Sequence, residues 1–221
     1  MTRPHASDRV AVVVGVLTLA LLGFALRPQH TATNDRAGAP VERPRPVEIH
    51  RPTALIIGDS YTSGSGVAEI SYGCQAVRRM GWLCIQASEP GTGYISGGPA
   101  NRFTVDKTTK RQTTSFGERM PGLSNLYQPD VVILDGGRSD TFVPGDRLFD
   151  VMRSTLWQVH ATWPKARIVL VRPRLLGKPD DDLGFDDGFI AGLGQAAGID
   201  DLIVVDPILT FKDADTAGLV S

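Results

Sequence analysis

From residue 52 onward, short apolar runs alternate with segments of helical periodicity, and this alternation limits the folds open to the chain. Runs such as VVIL, IVLV and LIVV show no polar–apolar alternation, which is typical of parallel strands buried on both faces. Parallel strands separated by helices form a doubly wound α/β sheet with right-handed crossovers. The sequence therefore predicts a flavodoxin-like parallel sheet of about five strands.

The predicted elements follow one another in a strand–helix order. Strands are expected at 53–57, 82–87, 130–135, 167–173 and 201–207, and helices at 72–81, 146–163 and 189–198. The segment 95–122 is predicted to be a long connection, and connections of that length are usually functional or mobile. Four basic residues lie in it, and a solvated surface loop is favoured over an anion site: Arg102, Lys107, Lys110 and Arg111.

The N-terminal part of the chain has a different composition. Residues 10–26, VAVVVGVLTLALLGFAL, carry no charge and follow Arg3 and Arg9, as in a signal sequence. As a helix this run would be about 25 Å long, close to the ~30 Å thickness of a hydrocarbon core. We expect an N-terminal tail at 1–9 followed by an uncleaved transmembrane anchor, with a cleaved signal peptide as the alternative.

Residues 27–51 are rich in proline and poor in apolar residues, which favours an extended stalk over a helix. The single predicted domain is then 52–221. Anchor and stalk together predict a membrane-anchored protein whose domain is extracytoplasmic, or a secreted protein if the signal is cleaved.

Charge and composition exclude several classes of partner and cofactor. The net charge of −1 gives no indication of a nucleic-acid partner. The acidic run 180–182 is interpreted as a solvated turn before a helix rather than as a metal site, and we expect no cofactor. GTGY and GSG do not complete a Gly-x-Gly-x-x-Gly pattern, so a nucleotide site is not indicated.

The two cysteines of the chain, Cys74 and Cys84, are too few for a four-cysteine zinc site or a disulfide-rich scaffold. They lie on a predicted helix and on the strand that follows it. A disulfide forms where two Cα atoms come within about 7 Å, and an exported domain would permit its oxidation. Two buried free thiols are the favoured alternative, because small apolar side chains fit both positions.

The first predicted strand ends in Gly58-Asp59-Ser60, followed by a loop rich in glycine and serine. Sites in doubly wound sheets form beyond the carboxyl ends of the strands, so Ser60 is either a nucleophile or a turn residue there. The stretch GDSYTSG after a first strand resembles the GDSL, or SGNH, family of serine hydrolases. The resemblance extends over nearly all of 52–221 and implies an esterase with Ser60 as its nucleophile.

Two further sequence blocks of the family have counterparts here. The glycine after the second strand corresponds to Gly91, with Gly93 as the alternative. The resemblance implies that its backbone N–H donates to the oxyanion, together with the N–H of Ser60. The third block, Gly-x-Asn-Asp, corresponds to 137–140, so that Ser139 stands where the family has its oxyanion-binding asparagine.

Two aspartates belong to these blocks, and the resemblance implies that both are structural. Asp59 precedes the nucleophile, and Asp140 ends the third block. The family's fourth block, Asp-x-x-His, has no counterpart in the sequence. The resemblance therefore supplies no catalytic histidine or aspartate partner in this chain.

The histidines that the chain does contain are poorly placed to act as the base. His50 precedes the first strand, about 17 Å from the end where Ser60 lies. His160 lies near the end of the 146–163 helix, at the amino edge of the sheet, and His5 and His30 precede the domain.

Two functions stay open on this evidence. The first is an SGNH-type hydrolase of acyl or acetyl esters of glycans or lipids, impaired as written because the Asp-x-x-His block is absent. The missing residues would come from sequence beyond Ser221 or from another chain. The second is a non-catalytic, membrane-tethered module that binds a glycan or an acyl chain. In either case the expected partner is a small-molecule or glycan ester.

Overall fold

The computed structural model describes residues 50–64, 71–175, 178 and 180–207. Within these ranges five parallel strands form one sheet: β1 (Thr53–Gly58), β2 (Leu83–Ser88), β5 (Val131–Asp135), β6 (Arg167–Val171) and β7 (Ile203–Val205). Two short strands, β3 (Thr104–Asp106) and β4 (Arg111–Gln112), form a separate antiparallel hairpin. The sheet order β2-β1-β5-β6-β7 is the flavodoxin-like order, so the predicted five-stranded parallel α/β sheet is confirmed.

Helices alternate with the strands of the sheet. They are α1 (Ser60–Ser63), α2 (Tyr72–Arg79), α3 (Phe116–Leu126), α4 (Gly145–Thr162) and α5 (Asp187–Ala197). The three predicted helices correspond to α2, α4 and α5, with their ends shifted by one or two residues. A 3-10 turn (Arg138–Asp140) follows β5.

The central strands bury apolar side chains on both faces. Leu55 and Ile57 of β1 point into a cluster with α3, α4 and α5, whereas Ala54 and Ile56 pack with α2 on the opposite face. Each fully buried Leu or Ile contributes roughly 1.5–3 kcal/mol, so this double burial accounts for the unbroken apolar runs in the sequence. It also holds the carboxyl ends of β1, β2 and β5 in a fixed register.

The prediction that 95–122 is a long connection without regular structure is wrong. This segment contains the β3–β4 hairpin and the first part of α3. The helix begins with a capping box in which Ser115 and Glu118 satisfy each other's backbone N–H groups. Pro121 inside the helix, together with Gly117 and Gly122, obscures the helical pattern in the sequence.

The four basic residues of that segment are exposed, as the sequence predicted, although two of them are paired with acidic side chains. Arg102 is paired with Glu118, and Arg111 with Glu89. Glu89 is buried, and its carboxylate also accepts a hydrogen bond from the Thr114 N–H at 3.3 Å. The Arg111–Glu89 pair joins the hairpin to the loop that follows β2, and the Arg102–Glu118 pair joins the segment before β3 to α3.

The expectation of two free thiols is also wrong. Cys74 and Cys84 form a disulfide, with their Cα atoms 5.4 Å apart. Helix α2 leads directly into β2 and packs against it, which brings the two residues within bonding distance.

The predicted anchor at 10–26 lies outside the described residues, as does nearly all of the stalk at 27–51. Among the helices of the described part, none is both long and apolar enough to cross a membrane.

Candidate active site

Ser60 is exposed at the carboxyl edge of the sheet, at the first position of α1. The strand before it, β1, lies between β2 and β5, and Gly58 is level with Ser88 on one side and Asp135 on the other. The chain segments that leave these three strands therefore start side by side. They carry Ser60, Gly91 and Ser139 respectively.

The Gly-Asp-Ser turn has a local physical basis at each position. Asp59 caps α1 by accepting a hydrogen bond from the Tyr61 N–H at 2.8 Å. A Cβ on Gly58 would lie 2.9 Å from the Cβ of Thr62 and 3.0 Å from the Asp135 carbonyl oxygen. Glycine is therefore needed for α1 to fold back over the end of β1, and this turn leaves Ser60 facing solvent.

Beneath this turn, one buried guanidinium is shared between two buried carboxylates. Arg138 Nη1 donates to Asp59 Oδ2 at 3.2 Å and to Asp135 Oδ1 at 2.8 Å, and Nε donates to the Arg174 carbonyl at 2.7 Å. The guanidinium also stacks on the Tyr61 ring, 4.3 Å from its centroid. Arg138 thus joins the segments that follow β1, β5 and β6.

The electrostatics of this cluster follow from having one cation for two acids. Burial raises the pKa of Asp59 to about 6; Arg138 opposes the rise, and the negative charge of Asp135 adds to it. Burial by itself would lower the pKa of Arg138, because it disfavours the charged form. The negative charges of Asp135 and Asp59 outweigh this effect, so the pKa of Arg138 is raised. The turn that carries Ser60 therefore rests on a group that titrates in a mildly acidic range.

Asp140 binds the loop after β2 to the loop after β5. Its carboxylate accepts hydrogen bonds from the N–H groups of Tyr94 at 2.8 Å, Ile95 at 3.1 Å and Ser96 at 2.7 Å. Burial raises the pKa of Asp140, although the three donors oppose this. Its carboxylate packs so closely on Gly93 that no side chain fits there.

The two glycines proposed for the oxyanion differ in what their N–H groups bind. The Gly93 N–H donates to the Ser96 carbonyl at 3.0 Å. Neither the Gly91 N–H nor the Ser139 hydroxyl, in contrast, has a hydrogen-bond partner among the residues that the structure describes. This difference favours Gly91 over Gly93 as a donor to a ligand.

Arg119 is a further buried cation at this edge, and sequence reasoning missed it. Its Nη1 donates to the carbonyls of Gly58 at 3.1 Å and Ala87 at 2.7 Å, which are at the ends of β1 and β2. Nη2 also contacts the Thr92 hydroxyl and the Glu89 carboxylate. Burial lowers the pKa of Arg119 to about 10, with Glu89 opposing. Arg119 lies in the first turns of α3, and the capping-box pattern at the start of that helix was the sequence signal that could have located it.

The two described histidines lie away from Ser60, as the sequence predicted. His50 Nε2 is 3.1 Å from the carboxylate of Asp130, which directly precedes β5 at the amino edge. His160 is in the last turn of α4, which runs from the carboxyl edge back to the amino edge. Neither can take a proton from Ser60.

A second charged cluster lies where β6 and β7 end. Arg172 and Arg174 both bind the carboxylate of Asp206, with Nη1 and Nη2 respectively 2.9 Å from its Oδ2. A cavity of about 660 Å³ between α5 and β7 borders this cluster rather than Ser60.

The acidic run at 180–182 forms a turn, because Asp181 and Asp182 accept hydrogen bonds from the N–H groups of Leu183 and Gly184, each at 2.9 Å. In the part of the chain that the structure describes, no group of three acidic, histidine or cysteine side chains is placed to hold a metal ion.

A parallel sheet in this order, with an exposed serine two residues after its first strand, is the SGNH-type fold that this chain shares with solved esterase structures. Similar solved structures include AlinE4, an SGNH-hydrolase family esterase, at 19% identity and a TM-score of 0.54 over 78% of this chain and 84% of that one. A family two carbohydrate esterase from Cellvibrio japonicus matches at 19% identity and a TM-score of 0.53, over 70% of this chain and 51% of that one.

An acetyl xylan esterase from the rumen bacterium Butyrivibrio proteoclasticus matches at 15% identity and a TM-score of 0.51, over 72% of this chain and 56% of that one. The chain thus spans about half the length of the carbohydrate esterases that it resembles. No family model and no curated protein matches its sequence.

Proposed function

We propose that this protein is a serine esterase that acts on acyl or acetyl esters of glycans or lipids, with Ser60 as the nucleophile. One observation carries the proposal. Ser60 is exposed at the carboxyl edge of the sheet, at the start of a helix and between segments that offer two unengaged donors, Gly91 N–H and the Ser139 hydroxyl. Serine ester hydrolysis needs a nucleophile beside oxyanion donors.

In the proposed reaction, a base removes the Ser60 hydroxyl proton as Oγ attacks the ester carbonyl carbon. The carbonyl oxygen becomes an oxyanion that accepts hydrogen bonds from the N–H groups of Ser60 and Gly91. Collapse of this intermediate breaks the bond to the alcohol, which leaves with the proton, and water then hydrolyses the acyl-serine. The hydroxyl of Ser139 is the third donor, in place of the family's asparagine amide.

Ser139 is a weaker substitute for that amide because its hydroxyl stands on a shorter side chain. Removal of one oxyanion donor costs about 3–4 kcal/mol in other serine hydrolases. We therefore propose a reduced rate even when a base is present, and an amide at position 139 should raise it.

The substrate class is supported by the structures that this chain resembles. They include an acetyl xylan esterase and a family two carbohydrate esterase from Clostridium thermocellum in complex with cellohexaose. We propose an acetylated glycan as the substrate, with a lipid ester as the alternative.

The base is the part of the mechanism that the described residues do not supply. His50 and His160 lie at the opposite edge of the sheet. We propose that the histidine and its aspartate come from sequence outside the one given or from another chain, and that the chain as given is impaired. The same observation favours a second candidate, a binding module that keeps the cleft without catalysis.

We also propose that the domain works outside the cytoplasm, held by an anchor at 10–26. The Cys74–Cys84 disulfide supports this location, because disulfides persist in oxidising compartments.

Hydrolysis of p-nitrophenyl acetate and of acetylated xylan by the full chain tests the proposal, with Ser60→Ala as the diagnostic variant. Ser154→Ala is the matched control, because Ser154 is exposed on α4, away from the site. When a base is supplied by an added Asp-x-x-His segment, turnover should appear, depend on Ser60 and be insensitive to Ser154→Ala. Base-supplied turnover that persists in Ser60→Ala would exclude Ser60 as the nucleophile.

A further inference from the structure

Two exposed aromatic residues lie in the segments that leave the strands on either side of β1, the strand that leads to Ser60. Among the described residues, the exposed large apolar side chains are Leu83, Phe103, Leu126, Phe142, Trp157 and Val204. Only Phe103 and Phe142 of this described set lie in segments that leave the carboxyl edge of β2 and β5. Phe103 is 42% exposed and Phe142 is 55% exposed. Exposed rings beside a site are more informative than apolar residues scattered over a surface.

Phe103 lies directly against the proposed oxyanion glycine. A Cβ built on Gly91 would be 2.9 Å from Phe103 Cζ, so the ring covers that side of the Gly91 backbone. Gly91 also has a φ of +71°, a conformation that favours glycine. One edge of the ring thus contacts the site while much of its surface stays open to solvent.

The backbone of Phe103 is held in place by hydrogen bonds to Thr113 that extend the β3–β4 hairpin. The Phe103 N–H donates to the Thr113 hydroxyl at 3.1 Å, and the Thr113 N–H donates to the Phe103 carbonyl at 2.9 Å. The Thr113 hydroxyl in turn donates to the Gly97 carbonyl at 2.8 Å. A side chain on a backbone held in this way loses less conformational entropy when a ligand packs on it than one on a mobile loop.

Phe142 lies in the loop that leaves β5, on the other side of β1. It comes three residues after Ser139, in the loop that the Val143 N–H closes by donating to the Asp140 carbonyl at 3.2 Å. Strands β2 and β5 flank β1, so the two loops start about 10 Å apart at a strand spacing of about 4.8 Å. Ser60 lies between them.

We propose that Phe103 and Phe142 are specificity-determining residues that bind the apolar faces of sugar rings on either side of the ester at Ser60. This inference rests on the proposed function and narrows its substrate class from glycan or lipid to glycan. A sugar ring has a flat C–H face and a polar edge, which suits an open aromatic ring among polar neighbours. The residues next to Phe103 in sequence, Arg102 and Thr104, are exposed and polar, whereas an acyl chain needs an enclosed apolar channel.

Binding, measured apart from catalysis, tests the proposal. Calorimetric titration of the full chain carrying Ser60→Ala with cellohexaose and xylohexaose should detect binding of at least one of them. Phe103→Ala and Phe142→Ala should each weaken that binding by roughly three- to tenfold, the range of an aromatic contact. Trp157→Ala is the matched control, since Trp157 is 61% exposed on α4, outside the site, and its loss should leave binding unchanged.

A conservative substitution separates a sugar ligand from an acyl ligand. Phe103→Leu keeps the apolar volume but removes the flat face, so it should weaken oligosaccharide binding nearly as much as Phe103→Ala. Thermal unfolding of each variant checks that the fold is retained. Decanoate binding that is lost in Phe103→Ala and kept in Phe103→Leu would overturn the proposal in favour of an acyl site.

Oligosaccharide binding that neither Phe103→Ala nor Phe142→Ala affects, or no binding of either oligosaccharide, would also overturn it. The esterase proposal fails in a different way. It fails if hydrolysis with an added base does not depend on Ser60, whatever the binding results show.

Discussion

Arg138 Nη1 lies 3.2 Å from Asp59 Oδ2, so the residue before the proposed nucleophile is held in place by a buried cation. The same nitrogen binds Asp135 at 2.8 Å. The side chains of all three residues are almost fully buried, and the arrangement fixes the Ser60 turn to the centre of the sheet.

Replacement of Arg138 by methionine should destabilise the domain strongly. It leaves Asp59 and Asp135 buried without their cation, and breaking a buried ion pair in this way costs about 3–5 kcal/mol. Urea unfolding measures the loss. The control is Arg153→Met, whose partner Asp150 is exposed, and it should cost less than about 1 kcal/mol. Similar losses for the two variants would contradict the structural role assigned to Arg138.

The stability of the domain should fall as the pH rises through the range in which Asp59 ionises. Burial raises the pKa of Asp59 from 3.8 to about 6, so between these values the folded state holds more protons than the unfolded state. The contribution of Asp59 is therefore fully present below about pH 4 and is lost as the pH rises through about 6. Asp140, whose pKa burial also raises, acts in the same direction.

The variant Asp59→Asn should flatten this pH dependence, because the amide does not ionise. Urea midpoints measured at several values between about pH 4 and pH 7 give the slope. Asp150→Asn, at an exposed position on α4, is the control and should keep the slope of the parent protein. If the slope of Asp59→Asn equals that of the parent, another group is responsible.

Two glycine-to-alanine changes should have opposite effects. Gly58→Ala places a Cβ against Thr62 and the Asp135 carbonyl, so it should destabilise by about 1–3 kcal/mol and displace α1. In Gly122→Ala, the added Cβ has no atom within 4 Å, and alanine favours the helix more than glycine does. This change in α3 should therefore stabilise the domain by roughly 0.5–1 kcal/mol. Thermal unfolding of the two variants checks both signs, and loss of stability in Gly122→Ala would count against the helix.

The chain as given should turn over p-nitrophenyl acetate only weakly. An unassisted serine hydroxyl is a poor nucleophile at neutral pH, and oxyanion donors with binding leave roughly 10³-fold catalysis over water. Ser60→Ala should change this residual rate little. A C-terminal extension that carries Asp-x-x-His should raise the rate by orders of magnitude and add an inflection near pH ~6.5. Vigorous, Ser60-dependent hydrolysis without the extension would reveal a base among the present residues.

The Cys74–Cys84 disulfide can be checked by measuring the mass of the protein after alkylation. Alkylation of the unfolded protein without reductant should add no alkyl groups, because Cys74 and Cys84 are bonded. Alkylation after reduction should add two alkyl groups. Reduction of the disulfide should also lower the free energy of unfolding by about 2–3 kcal/mol, the usual effect for a loop of this length. Two additions before reduction would show free thiols.

The strands of the sheet could be predicted because their apolar runs have no alternation, and burial on both faces is the reason. Helix α3 could not, since Pro121 and two glycines outweigh its capping box in any propensity argument. The disulfide could not be predicted either, because the distance between the Cα atoms of Cys74 and Cys84 depends on how α2 packs against β2. Their spacing in the sequence does not determine that distance.

In the candidate site, too, the residues defined by local sequence could be predicted, and those defined by contacts between distant segments could not. Ser60 could be located because glycine, aspartate and serine are adjacent in sequence and follow an apolar strand. Arg138 could not, because its partners Asp59 and Asp135 become neighbours only when β1 and β5 pair. Phe103 was missed for a similar reason, since the hairpin that brings it to Gly91 lies far along the chain from that glycine.

The shared cation of Arg138 also limits how related sequences can diverge. One positive charge is divided between Asp59 and Asp135, so a neutral residue at position 138 is tolerable only where an acid is lost as well. We expect the three positions to covary among homologues, with each retained or exchanged as part of a set. The second position of the Gly-x-Asn-Asp block, which the family pattern leaves open, should then be constrained wherever both acids are kept.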